Sequence, residues 1–191
     1  MRVQFFLGMN PPTITAQEHR IRMVKKNVTR SDGKTVQKQV PVVYEDERLK
    51  DARQKLMASL AKWKYDMKFS GMPDRNGVRL ETVWCFPIRD GSKYQDGDYR
   101  TTKPDTDNLQ KMLKDCMTAV GLWKDDALVC SEHVEKRWSV NPGIFIVIED
   151  IESWQLREAG LTDEQIEEFE GLKDAEVMWL PYPTNGTGLP L

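Results

Sequence analysis

No stretch of this sequence holds the roughly 20 consecutive apolar residues that a helix needs to span a bilayer, so nothing in it reads as a membrane segment. Cysteine is scarce. Cys85, Cys116 and Cys130 make an odd number and no CxxC spacing occurs. That pattern supports neither a disulfide framework nor a structural zinc site, and a reducing cytoplasm is the expected compartment. Histidine is scarcer still. His19 and His133 lie far apart and share no metal-ligand spacing with the cysteines. The stretch Met1 to Gly8 has one basic residue but neither a long apolar region nor a small-residue cleavage site, so it reads as a strand and not as a secretory signal. With 39% hydrophobic and 30% charged residues, the composition is that of a globular chain.

The small net charge of −2 conceals a split. Residues 149–176 carry eleven acidic and two basic side chains, a local net of −9, and residues 177–191 carry none, which leaves +7 on residues 1–148. A basic body with an acidic tail suits a polyanionic ligand, although ordinary solvated faces can look the same. The length of 191 residues fits one domain over 1–150 with an extension over 151–191.

Alternating Val3, Phe5 and Leu7 predict a first strand, closed by Asn10-Pro11-Pro12. Residues 20–28 and 36–43 flank Ser31-Asp32-Gly33-Lys34 and predict a β-hairpin. Between His19 and Lys38 it carries seven Lys/Arg against one Asp. Leu49, Ala52, Leu56, Leu60 and Trp63 recur at helical spacing within 45–66. Val78, Leu80, Thr82, Trp84 and Phe86 alternate as a strand that Pro87 ends. A polar loop covers 88–104. A second helix follows over about 106–120, with Leu109, Met112, Leu113, Cys116 and Val120 on its apolar face and Gly121 as its stop. Strands are expected at 127–138 and 144–149. Thr162-Asp163-Glu164-Gln165 resembles a capping box opening a short acidic helix.

The chemically informative stretch is Asp105-Thr106-Asp107-Asn108-Leu109-Gln110-Lys111, followed by Gly121-Leu122-Trp123-Lys124-Asp125-Asp126-Ala127. Asp105 and Asp107 stand where a loop becomes a helix, and Asp107, Lys111 and Asp115 share one helix stripe. Clustered carboxylates repel one another unless a cation lies between them. Magnesium prefers such oxygen donors, and phosphodiester hydrolysis uses it to activate water and neutralise the phosphate. A nearby lysine can stabilise the developing charge. Yet Asp, Thr and Asn before a helix are also what N-capping looks like, and acidic residues there suit the helix dipole. Residue types alone leave capping the simpler account. Whether Asp126 meets Asp105 and Asp107 depends on tertiary geometry, since the helix separates its own two ends.

These same residues resemble the signature of the RusA family of Holliday junction resolvases, an Asp-x-Asp-Asn-Leu-x-Lys run, a helix, then an aromatic residue and paired aspartates. A weaker similarity covers most of residues 1–150, while the hairpin looks longer than the family pattern and 151–191 has no counterpart. The resemblance implies an α+β fold, which with the elements read above gives a mixed β-sheet with a long hairpin and two main helices, plus a short acidic helical appendage. It implies a Mg2+-dependent endodeoxyribonuclease that resolves four-way junctions by paired nicks in DNA recombination and repair. Asp105, Asp107 and Asp126 would be the metal ligands and Lys111 the catalytic lysine. Asp125 is the immediate neighbour of the third ligand. The members are homodimers on branched DNA, and a two-fold dimer offers one site to each of two symmetry-related strands. Arg20, Arg22, Lys25, Lys26, Arg100 and Lys103 are candidate phosphate contacts, and Tyr94 and Tyr99 candidates for stacking on unpaired bases. The competing expectations are a nuclease for flaps and forks, or a non-catalytic DNA-binding protein of the same fold.

The charge split yields a first prediction. Removing residues 151–191 tightens DNA binding at low salt in a filter-binding assay; unchanged affinity, or failure to fold, assigns the tail a structural role instead.

Overall fold

A computed structural model of the chain describes residues 1–14, 19–29, 31, 33, 35–73, 77–91 and 93–174. Met1–Ile151 and Glu152–Leu191 are two separate compact units. The first unit is α+β. Its elements in chain order are β1 (Arg2–Leu7), β2 (His19–Thr29), β3 (Thr35–Glu45), α1 (Glu47–Asp66), β4 (Val78–Pro87), α2 (Thr106–Ala119), a 3₁₀ turn (Asp126–Leu128), β5 (Val129–Ser139) and β6 (Gly143–Asp150). α3 (Ile151–Glu158) begins at the boundary and α4 (Asp163–Asp174) comes after it.

Four strands form a mixed sheet in the order β1-β6-β4-β5. β4 runs parallel to β5 and antiparallel to β6, and β1 pairs antiparallel with β6. The alternation read in β4 is real. Val78, Leu80, Thr82, Trp84 and Phe86 are buried while the residues between them are half-buried. On that same face stand Ile144, Ile146 and Ile148 of β6 and Phe5 and Leu7 of β1. Both long helices cover it. α1 contributes Leu49, Leu56 and Leu60, and α2 contributes Leu109, Met112, Leu113, Cys116 and Met117, all in one core. Thr82 is the polar residue among the buried positions of β4, and its hydroxyl donates to Gln110 Oε1 of α2 at 2.9 Å. Gly143 lets the β1 edge close against β6, because a Cβ there would lie 2.1 Å from the Phe6 ring.

Among the described residues β2 and β3 pair only with each other, in register from His19↔Glu45 to Thr29↔Thr35. Within the turn between them, Asp32 and Lys34 lie outside the described residues. β5 starts two residues later than the sequence pattern indicates, because the Asp125 carboxylate accepts from Ala127 N at 2.8 Å and closes residues 126–128 into the 3₁₀ turn. In the second unit the capping box is formed. Thr162 N donates to Gln165 Oε1 at 2.9 Å and Gln165 N to Thr162 Oγ1 at 3.3 Å. The acidic appendage holds two helices where one was expected, and its last residues, 175–191, lie outside the described ones.

The end of α2 is fixed by glycine. Gly121 has φ 71°. Its N–H donates to Thr118 O at 2.9 Å, and Leu122 N donates to Met117 O at 2.9 Å. This is a Schellman closure, with Leu122 buried behind it. Lys64 of α1 then donates to Val120 O at 3.0 Å and Gly121 O at 2.6 Å, tying the two helix ends together. An alanine at 121 would meet left-handed strain and place its Cβ 3.0 Å from Lys64 Nζ. Gly121→Ala is therefore expected to cost about 1–2 kcal/mol, seen as a lower urea midpoint at unchanged slope; an unmoved midpoint would contradict this account of the helix end.

Candidate active site

At the N-terminus of α2 the capping account can be tested directly. Asp105 occupies the N-cap with extended φ −77° and ψ 151°, but its side chain makes no cap hydrogen bond. The other two N-cap aspartates behave differently. Asp46 accepts from Arg48 N at 2.9 Å and Asp125 from Ala127 N at 2.8 Å. An N-cap side chain is ordinarily worth about 0.5–2 kcal/mol, and α2 forgoes it. Asp105, Asp107 and Lys111 are exposed and Asp126 is half-exposed. Among the described residues, no hydrogen bond or ion pair reaches any of these four side chains. The paired aspartates thus divide their work, since Asp125 is used by the turn and Asp126 is not.

The structure brings Asp105, Asp107 and Lys111 together over the first turns of α2 and leaves Asp126 elsewhere. Lys114 pairs with Glu132, and Lys136 reaches the backbone of Pro104, so α2 runs antiparallel to β5. The 3₁₀ turn that carries Asp126 therefore comes after the far end of α2. Fourteen residues at 1.5 Å each put about 21 Å between the helix ends. Accordingly, no group of three His, Cys, Asp or Glu side chains able to hold a metal ion occurs among the described residues.

The loop before α2 is ordered along β5. Gly97 N donates to Trp138 O, Trp138 N to Asp98 O, and Arg100 N to Lys136 O, at 2.8–2.9 Å. Arg100, a candidate phosphate contact, lies over the rings of Phe86 at 4.0 Å and Trp138 at 4.6 Å, and its guanidinium donates to Lys103 O. Burial lowers its pKa, Arg89 lowers it further, and Tyr94 opposes the shift. Lys103 is exposed.

Lys136 was missed by the sequence reading. Its ammonium donates to Thr102 O at 3.0 Å and Pro104 O at 2.6 Å. Burial pushes its pKa down, the Asp105 carboxylate pushes it up, and Arg100 adds to the lowering. A signal existed. Lys136 alternates with Val134 and Trp138, both packed against the core, so a lysine occupies an inward position of β5, paired with Trp84.

The remaining candidates scatter. Arg22, Lys25 and Lys26 are exposed on β2, and the side chain of Arg20 lies outside the described ones. Arg22 and Lys26 share one face of the hairpin and Lys25 points to the other. Lys26 stands directly opposite Lys38. Tyr94 stacks on Trp138 with ring centroids 4.5 Å apart, while Tyr99, 62% exposed, lies under the Arg137 guanidinium. Trp123 is buried and donates to Thr118 Oγ1 at 2.8 Å. Cys116 is core, and burial pushes its thiol up to about 11. No helix among the described residues is long and apolar enough to cross a membrane.

Partnerless carboxylates are the donor type that a hard divalent cation takes. Asp105 and Asp107 offer two on one helix end. Asp126 offers a third, although the three form no metal-holding group among the described residues. No curated protein matches the chain. The family model for endodeoxyribonuclease RusA matches residues 17–149, which include every aspartate and lysine of the site. The match covers well over half of the chain and makes it a member of the RusA family, endodeoxyribonucleases that resolve Holliday junctions, bind branched DNA and use a divalent metal.

Proposed function

We propose that this chain is a Mg2+-dependent resolvase that acts as a homodimer and cuts four-way junctions by paired nicks, with Asp105, Asp107 and Asp126 as metal ligands and Lys111 as the catalytic lysine. The observation that carries the proposal is the N-cap aspartate that does not cap. Asp105 is held in the geometry of a cap with its carboxylate left free, and the carboxylates of Asp107 and Asp126 are equally unengaged. When bound, the metal supplies charge neutralisation at the phosphate and a more nucleophilic water. Lys111 stands one turn along from Asp107, where its ammonium meets the scissile phosphate and opposes the charge that develops there. The open N–H groups at the start of α2 face the same anion.

The antiparallel path of α2 and β5 gives the dimer a chemical role. In a single copy the three carboxylates form no metal-holding group among the described residues, and Asp126 follows the opposite end of α2 from the other two. A two-fold that sets Asp126 of one copy against Asp105 and Asp107 of the other completes two identical sites, one for each strand to be nicked. The hairpin supports a polyanionic substrate. Lys26 and Lys38 are directly opposed across the ladder, a pairing that repels unless an anion such as a backbone phosphate lies between them. Arg20, Arg22, Lys25 and Lys103 are the other proposed DNA contacts. Arg100 contributes through the loop that it braces.

Two measurements test this. Asp107→Asn is expected to lower junction cleavage in Mg2+ by at least about 100-fold while leaving junction binding largely intact; undiminished cleavage removes Asp107 from the site. Mixing Asp107→Asn protein with Asp126→Asn protein distinguishes shared sites from self-contained ones. Random pairing then restores about a quarter of wild-type sites, all of them in mixed dimers. Those dimers nick one strand without making the paired cut. A mixture as inactive as its components places all the ligands of each site in one copy.

A further inference from the structure

The three carbonyls just before Asp105 are each held by a cation. Lys136 takes Thr102 O and Pro104 O, and Arg100 takes Lys103 O. Neither cation is a loose surface side chain. Arg100 is pinned on Phe86 and Trp138, and Lys136 rises from an inward position of β5, paired with Trp84. Thr102 and Lys103 are exposed, so water could satisfy their carbonyls without drawing a lysine out of solvent. Half-burying an ammonium is costly unless the position does something. The residue directly after the clamped carbonyls is Asp105, whose carboxylate also lies within electrostatic reach of Lys136.

We propose that Lys136 is a positioning residue for the metal site. By clamping residues 102–104 it fixes the backbone from which Asp105 departs, and its charge holds that carboxylate away from the helix N–H groups it would otherwise cap. A freed loop lets Asp105 fall into an ordinary N-cap bond, which satisfies α2 and removes a ligand. Direct contact with the scissile phosphate is the less suitable role for Lys136, because two of its three donors are already committed to carbonyls. The inference rests on the assignment of Asp105 as a metal ligand, and the test keeps the two apart.

The experiment is Mn2+ binding to the full-length protein, tracked by the electron paramagnetic resonance signal of the free ion. It compares wild type, Lys136→Met, Asp105→Asn and the double variant. Lys136→Met, in folded protein by thermal midpoint, is expected to weaken Mn2+ binding about 10–100-fold, the range for groups that orient a ligand. On the Asp105→Asn background the same substitution adds no further loss, because the two residues act through one carboxylate. In Mg2+ the junction KM is unchanged and kcat falls. Unchanged Mn2+ affinity in folded Lys136→Met protein overturns the proposal, as does an equal loss on both backgrounds. If Lys136→Met does not fold, Lys136→Gln, which keeps an amide donor for one carbonyl, is measured in its place, and wild-type affinity there is equally fatal. Wild-type affinity in Asp105→Asn protein instead removes Asp105 from the ligand set.

Discussion

Two parallel strands cannot be joined by a tight turn; the chain must cross back over the sheet before the second strand begins. In this protein α2 is that crossing, between β4 and β5, and it dictates the placement of the proposed site. The apolar stripe of α2 must face the sheet, which leaves Asp107 and Lys111 on the exposed side. The crossing must also run antiparallel to β5, so the chain leaves α2 at the opposite end from Asp105. That Asp126 follows the opposite end of α2 from the aspartate pair is therefore a property of the topology and not of a particular side-chain arrangement. A homodimeric site is one way in which such a topology can still gather three carboxylates.

The segment that delivers the chain to α2 obeys a second constraint. β5 is the last strand of the sheet and would expose a row of unpaired backbone groups. Residues 97–100 cover part of that edge, and Tyr99 bridges to Arg137. Arg100 then turns inward onto two rings. Cation–π contacts of this kind contribute about 0.5–2 kcal/mol each, and they offset a guanidinium whose Nε has no hydrogen-bond partner among the described residues. The edge cover and the loop that leads into Asp105 are thus one piece of chain. A change at the edge, far from the aspartates in sequence, reaches them through residues 100–104.

Local patterns carried most of the fold. The period-2 run of β4, the stripe of α2, the stop at Gly121 and the reciprocal cap at Thr162 and Gln165 all depend on neighbours within a few residues, which is the range over which a sequence displays its physics. The aspartates were visible for the same reason, but their type could not distinguish a cap from a ligand. That distinction needed the orientation of one carboxylate. Arg100 read as a free cation because nothing near it in sequence shows that Phe86 and Trp138 will lie beneath it. Lys136 was hidden by distance, since the carbonyls it holds are 32 and 34 residues away. The start of β5 shifted because Asp125 competes locally with the strand for its backbone.

The unused cap at Asp105 links stability to function. A helix that ends in an uncapped N-terminus loses stability that a single rotation of Asp105 could recover. That rotation would take the carboxylate away from solvent and from any cation bound there. The protein instead orders a loop with two partly desolvated cations. Stability given up at one residue and restraint added at several others is what pre-organisation of a ligand entails. A carboxylate left to find its own position would spend part of its time as a cap, and each such population would lower metal affinity in proportion. On the proposed assignment of Asp105, the loop holds one charged group out of the cap position that its backbone would allow.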